Sequence, residues 1–316
     1  MILGIDATLF LAILAIIVTL LIGLIGIIYT RKSASKKQVE ELEIKLEKRL
    51  GELKVYLDGL SKAPDPVRIP FEQGLKAMQE YKWDEAINNF RLAIGITEDE
   101  NHKVALLNLI GNCFYNQGEL EQALGHHQES LVLSRKIKDQ IGEAANLGNL
   151  GIIYRIKGDR TKALEYHQAG LELDEKCANK EGIAIQLANI GLICGMDGDL
   201  VMALDYCKRA LTLFREIGNK SGEASVLSNV GVIYAKTNLD NSLKYHEEAL
   251  EIDREIGNKK GEAFDLNNIG IIYQGKDKKE KALHYFNQAL EIFKQIGAKR
   301  GIEQTENNIR KIKEGG

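Results

Sequence analysis

The apolar positions of the chain change their period twice. From Ala7 to Thr30 no charged residue occurs, and Leu9 to Val18 is almost wholly aliphatic. This run of 24 residues exceeds the roughly 20 that a helix needs to cross a bilayer core, so it predicts a transmembrane helix over 7–30. A cleaved secretory signal fits less well, because no Lys or Arg precedes the run and the run is too long for an h-region. From Ser33 to Leu60 the apolar residues are Val39, Leu42, Leu46, Leu50, Leu53, Leu57 and Leu60. Steps of three and four mark one stripe of a helix, which makes 31–63 a charged amphipathic stalk. One break in heptad phase leaves room only for a short coiled coil with weak self-association. Pro64, Pro66 and Pro70 follow, and they predict a hinge over 61–70 because proline interrupts helices and favours extended chain.

Beyond the hinge the pattern becomes helical and recurs about every 40 residues. The phrases Gly142-Glu143-Ala144, Gly222-Glu223-Ala224 and Gly261-Glu262-Ala263 are in step with Gly182-Ile183-Ala184 and Gly301-Ile302-Glu303. A second set, Gly74, Gly111, Gly151, Gly191, Gly231 and Gly270, is spaced by 37, 40, 40, 40 and 39. A fixed period of this length means stacked units, none of which buries its faces alone. Within a unit, Leu147 to Tyr154 is helical, Lys157-Gly158-Asp159 is a turn, and Ala163 to Leu173 is helical again. Each unit is thus a helical hairpin, with a glycine where its two helices cross. Gly218, Gly257 and Gly297 stand as stops after the second helices.

These residues resemble tetratricopeptide repeats. The third unit shows Leu147, Leu150-Gly151, Tyr154, Gly158, Ala163, His167 and Gly170; the sixth shows Leu266, Ile269-Gly270, Tyr273, Ala282, Phe286 and Ala289. The resemblance covers residues 67–314, as six repeats (67–103, 104–143, 144–183, 184–223, 224–262 and 263–302) and a capping helix over 302–313. The long period is similar to the repeats of kinesin light chains and of Leu-Gly-Asn polarity adaptors. The resemblance implies a right-handed superhelical solenoid, so the whole chain reads as all-α: an N-terminal transmembrane helix and helical stalk, then that solenoid. Two units depart from the pattern. The fifth lacks a residue between Tyr234 and Ser242, and the first has Tyr81 in place of the turn glycine.

Composition adds little until it is divided among these pieces. The 316 residues carry a net charge of −3, distributed as −1 over residues 1–30, +3 over 31–63 and −5 over the remainder. A near-neutral chain lacks the basic excess that phosphate neutralisation requires, so no nucleic acid is expected. Arg31, Lys32, Lys36 and Lys37 flank the apolar run on its C-terminal side. They predict a single-pass membrane protein with its N-terminus outside and the repeats in the cytoplasm.

The four cysteines show no metal-ligand spacing. Cys113, Cys177 and Cys207 fill slots held elsewhere by Ile, Phe or His, and Cys194 fills an aromatic slot opposite Cys207. His127, His167 and His246 share the slot of Phe90 and Phe286, which reads as packing. No phosphate loop and no Ser-His-acid set stands out of register, so no metal, no cofactor and no enzymatic activity is expected.

One register is polar without a packing reason. Asn149, Asn189, Asn229, Asn268 and Asn308 share one slot, two residues before the central glycine in the repeats, although asparagine is a mediocre helix residue. An amide offers both donor and acceptor. The resemblance implies that first helices line a concave groove, where such a ladder would hold the backbone of an extended peptide. A structural role, in which each amide bridges neighbouring helices, is the rival reading. In the second unit Leu109 occupies the slot, with Asn108, Asn112 and Asn116 nearby. Tyr115, Arg155 and Lys236 fall on the same inner face and favour acidic or aromatic ligand side chains. The sequence therefore predicts a membrane-anchored adaptor whose partner is a protein. The alternatives are a regulatory or assembly subunit of a membrane enzyme complex and a receptor for proteins delivered to a membrane machine.

Overall fold

Helices account for almost all of residues 65–314, the part of the chain that the computed structural model describes. The membrane span expected over 7–30 and the stalk over 31–63 lie outside these residues. Among the described residues no helix is long and apolar enough to cross a membrane, and there is no strand.

The helices pair in sequence order, as the 40-residue period requires. They are α1 (Asp65–Gln79) with α2 (Trp83–Ile96), α3 (Glu100–Gln117) with α4 (Leu120–Ile137), and α5 (Gln140–Ile156) with α6 (Arg160–Lys176). Then come α7 (Lys180–Asp197) with α8 (Leu200–Ile217), α9 (Lys220–Tyr234) with α10 (Leu239–Ile256), and α11 (Lys259–Gly275) with α12 (Lys279–Gln295). The unpaired α13 (Lys299–Glu314) closes the stack. From α3 onward, the first helix of each unit and α13 start three or four residues before the boundaries drawn from sequence. Side-chain caps set five of these starts: Asp99 accepts a hydrogen bond from the backbone N–H two residues on, and Asp139, Asn179, Asn219 and Asn258 each accept one from the backbone N–H three residues on.

The proline hinge expected over 61–70 is corrected over its described part, because α1 begins at Asp65 and runs through Pro66 and Pro70. A proline in the first turn removes no intrahelical bond, since those N–H groups have no acceptor there, and its fixed φ suits a helix. Pro70 gives up one bond, but Val67, Pro70 and Phe71 are all buried, and that burial offsets the loss.

Both glycine sets mark places where another side chain occupies the space of a Cβ. A Cβ on Gly270 would stand 2.6 Å from Phe286, one on Gly151 would stand 2.7 Å from His167, and one on Gly191 would stand 2.9 Å from Cys207 Sγ. These are the crossings inside each hairpin. The glycines of the other set mark the crossing between hairpins instead: Gly182 faces Asp174, Gly222 faces Phe214 and Gly261 faces Asp253, each too closely to admit a Cβ. Three glutamates that follow such glycines bind back to the preceding helix, with Arg135–Glu143 and Arg215–Glu223 at 2.8 Å and Arg254–Glu262 at 2.9 Å. In the first hairpin Tyr81 holds φ 59°, where the next three turns use Gly118, Gly158 and Gly198 at 86°, 88° and 95°. The turn geometry thus persists without its glycine, at some cost in backbone strain.

The six hairpins bring the early repeats back against the last ones. Lys260 Nζ of α11 donates to Asn116 Oδ1 of α3 at 2.6 Å and lies 4.9 Å from the centre of the Tyr115 ring. Lys299 pairs with Glu119 at 3.5 Å. Trp83 Nε1 stands 3.9 Å from the position of a Cβ on Gly297, and Tyr81 packs against the cluster containing Leu250 and Ile296. A small rotation repeated between successive hairpins accumulates into such a return. These contacts form a seam, and the inner face of the first helices lies along it.

Candidate functional site

Inside the seam lies a cavity of about 400 Å³, within the size range of ligand pockets. Tyr115, Asn116 and Arg155 of α3 and α5 form one wall; Asn229 of α9, Lys260 and Asn268 of α11, and Arg300 of α13 form the facing one. First helices supply most of the lining, because their small residues and amides face inward while the second helices pack behind them.

The structure divides the predicted asparagine ladder. Asn229 and Asn268 line the cavity, and Asn268 makes no side-chain hydrogen bond among the described residues. Three amides bridge to the residue 41 positions earlier, in the preceding first helix: Asn149 to Asn108 Oδ1 at 3.5 Å, Asn229 to the Ala188 carbonyl at 3.4 Å, and Asn308 to Asn267 Oδ1 at 3.3 Å. Asn189 donates to the Ile185 carbonyl of its own helix at 3.0 Å, and Asn112 to Asn108 Oδ1 at 3.1 Å. The register therefore has the bridging role at three of its five positions, through the amide nitrogen. The amide oxygens of Asn149, Asn229 and Asn308 take no part in those bonds.

Arg155 meets the expectation that it faces inward, and Lys236 does not. Lys236 is exposed in the turn after α9, because the shortened fifth unit ends that helix at Tyr234. Arg155 lines the cavity, with its Nε buried and without an acceptor among the described residues. Burial, together with the Arg300 charge, holds its guanidinium below the ordinary arginine range.

A second polar register, not apparent from the repeat phrases, runs through the core behind the cavity wall. Asn146, Gln186, Asp265 and Thr305 occupy one slot and are at most 2% exposed. Two of them bond one ring nitrogen of a buried histidine: His167 Nδ1 and Gln186 Oε1 are 2.9 Å apart, and His246 Nδ1 and Asp265 Oδ1 are 2.8 Å apart. Asn146 stands beside His127, with its own amide donating to Ser130 Oγ at 2.8 Å. The histidines are core rings, as their slot predicts, yet each has a polar neighbour nineteen residues on. That offset is the available signal: His127, His167 and His246 have Asn, Gln and Asp there, whereas Cys207 has Val226. Burial depresses His127 and His167 to about 4 and pushes the Asp253 carboxyl up to about 6.

Ser228, His246 and Asp265 meet here but lack the order of a nucleophilic triad. Ser228 Oγ donates to Asp265 Oδ1 at 2.7 Å and stands 3.5 Å from His246 Nδ1, the nitrogen that already faces Asp265. A triad needs the serine and the acid on opposite ring nitrogens. No group of three or more His, Cys, Asp or Glu with metal-binding geometry occurs among the described residues. All four cysteines are free, and burial pushes the Cys113 and Cys207 thiols up to about 12, which makes them poor nucleophiles.

A tetratricopeptide-repeat family model matches residues 102–176 and 234–295. Among solved structures, NprR in complex with its cognate peptide NprX is similar with a TM-score of 0.62 and 14% identity, over 85% of this chain and 82% of that one. A Rap protein complexed with Competence and Sporulation Factor gives 0.59 and 15%, over 90% and 88%. The apo form of RapI gives 0.55 and 16%, over 78% and 99%. At these identities the likeness is one of fold. No curated protein sequence matches the chain.

Proposed function

Because this chain is a tetratricopeptide-repeat protein, we propose that it is an adaptor that takes an extended peptide segment of a partner protein into its inner cavity. It makes and breaks no bond. The observation that carries this reading is the cavity wall itself, where Asn229 and Asn268 present amides beside Arg155 and Lys260. Amides pair with peptide backbone of any sequence, and the charged and aromatic neighbours select side chains. Two proteins of similar fold, NprR and a Rap protein, are each complexed with a partner molecule, which supports a binding role. The run from Ala7 to Thr30 anchors the adaptor as a single-pass protein with the repeats in the cytoplasm, and anchoring raises the effective concentration of the captured partner.

Affinity purification from detergent-solubilised membranes tests this. Asn229→Ala with Asn268→Ala is expected to lower recovery of the wild-type partners by about tenfold, a loss of about 1.4 kcal/mol. Asn189→Ala, whose amide bonds its own helix, should leave recovery unchanged. An unaltered partner list in the double variant contradicts binding in the cavity. Loss only on deleting residues 1–30 favours the membrane-subunit reading instead.

A further inference from the structure

Each hairpin after the first lays one face on the second helix of the hairpin before it. Three contacts of the third unit show how. Asn146 of α5 donates to Ser130 Oγ of α4 at 2.8 Å, Leu173 of α6 packs against the cluster that contains Leu131 of α4, and Ala169 of α6 lines a pocket with Arg135 of α4. Two repeat steps earlier, of 40 and 37 residues, these positions are Ile69, Ile96 and Leu92. Among the described residues no helix precedes α1, and the three side chains are 51%, 46% and 60% exposed. The slot of Ile69 shows the contrast: Leu106, Asn146, Gln186, Val226, Asp265 and Thr305, which share it, are at most 2% exposed. The first hairpin thus holds an aliphatic patch on the face that the rest of the solenoid uses for stacking. Three such residues on one face mark a protein contact, where singly scattered ones would not.

The opposite end of the solenoid offers this patch no counterpart. There α13 buries Ile309 and Ile312 in a cluster with Phe286, and its exposed positions include Glu303, Glu306, Arg310 and Lys311. Head-to-tail stacking, which builds open filaments, therefore lacks a second apolar face. The patch is self-complementary instead, because Ile69 lies on a first helix while Leu92 and Ile96 lie on a second helix. A two-fold axis brings α2 of one protomer over Ile69 of the other, and the reverse. We propose that the chain pairs with a second copy through this face, α2 of each protomer taking over α1 of its partner the place that a preceding second helix takes in every later unit. Pairing stands whether or not the cavity takes a peptide. None of the residues lining the cavity belongs to α1 or α2, so the pair presents two free cavities. A partner carrying two segments would then bind both at raised effective concentration.

Sedimentation velocity of the full chain in detergent micelles, over a concentration series, should show a monomer–dimer equilibrium. Ile69→Glu and Leu92→Glu each place a charge in the contact twice per dimer and should each weaken pairing at least about tenfold. Both sites are more than half exposed, so the fold tolerates the charge, and circular dichroism checks that it does. Val132→Glu, at a site on α4 that is 68% exposed, should leave pairing unchanged. A short bis-maleimide should join chains carrying Ile69→Cys to chains carrying Leu92→Cys, and should not join chains carrying Val132→Cys to one another. A monomer at every concentration overturns the pairing, and shielding of Ile69→Cys from maleimide in that monomer would show that a different occupant covers the face. A dimer as strong in both Glu variants as in wild type also overturns it and moves association to another part of the chain.

Discussion

Gly270→Val is expected to destabilise the solenoid by about 3 kcal/mol, whereas Gly125→Ala, also a glycine replaced inside a helix, should stabilise it by up to about 1 kcal/mol. The opposite signs come from what surrounds each position. A Cβ on Gly270 would lie 2.6 Å from both Cδ1 and Cε1 of Phe286, a ring that is fully buried and has no free space to enter. Gly125 is exposed on α4 and has nothing within 4 Å of its Cβ position, so alanine there only removes backbone freedom from the unfolded chain. Urea unfolding followed by circular dichroism measures both. Combining Gly270→Val with Phe286→Ala should cost clearly less than the sum of the two single changes, since the valine enters the space the ring leaves. Additive costs would mean that the glycine is not there for the ring.

The second large effect is on pH dependence. His127 and His167 have folded pKa values of about 4, against about 6.5 when unfolded. The unfolded chain therefore binds more protons than the folded one between these values. Stability is full above pH 6.5 and falls as the pH drops toward 4, by about 3 kcal/mol per ring. Asp253 works in the opposite direction, because its folded pKa of about 6 exceeds the ordinary value of 3.8; its contribution is lost as the pH rises through that interval. Variants separate the two signs. His127→Phe with His167→Phe, which copies the residue found in this slot at Phe90 and Phe286, should gain several kcal/mol relative to wild type between pH 7 and pH 4.5. Asp253→Asn should gain relative to wild type as the pH rises from about 4 to 6. A constant difference across this range in the histidine variant would show that the rings do not titrate with folding.

Much of the fold is legible because the repeat writes each contact several times. A glycine opposite Phe, His or Cys identifies the hairpin crossing, and register alone places Tyr81 at a left-handed turn. The site is less legible, for two physical reasons. Closure of the seam depends on small rotations summed over six hairpins, and no local pattern in Lys260, Asn116 or Arg300 encodes that sum. The asparagine register is visible, but a side-chain amide serves a neighbouring helix as readily as a ligand. The 41-residue step from Asn149 to Asn108 and from Asn308 to Asn267 decides between those uses only in three dimensions. Lys236 leaves the inner face because the deletion in the fifth unit ends α9 early. Pro66 and Pro70 signal the start of a helix as readily as its end, and only the burial of Val67, Pro70 and Phe71 distinguishes the two.

The central claim, capture of a partner segment in the inner cavity, is tested most directly by placing a photo-crosslinking amino acid inside the cavity and, separately, on a second helix. Ser225 of α9 lines the cavity, and Val201, 84% exposed, lies on the second helix α8. With p-benzoylphenylalanine at each site in the full chain, irradiation in membranes should yield a defined partner peptide cross-linked at position 225 and none at 201. A partner cross-linked at 201 and absent from 225 would contradict the account.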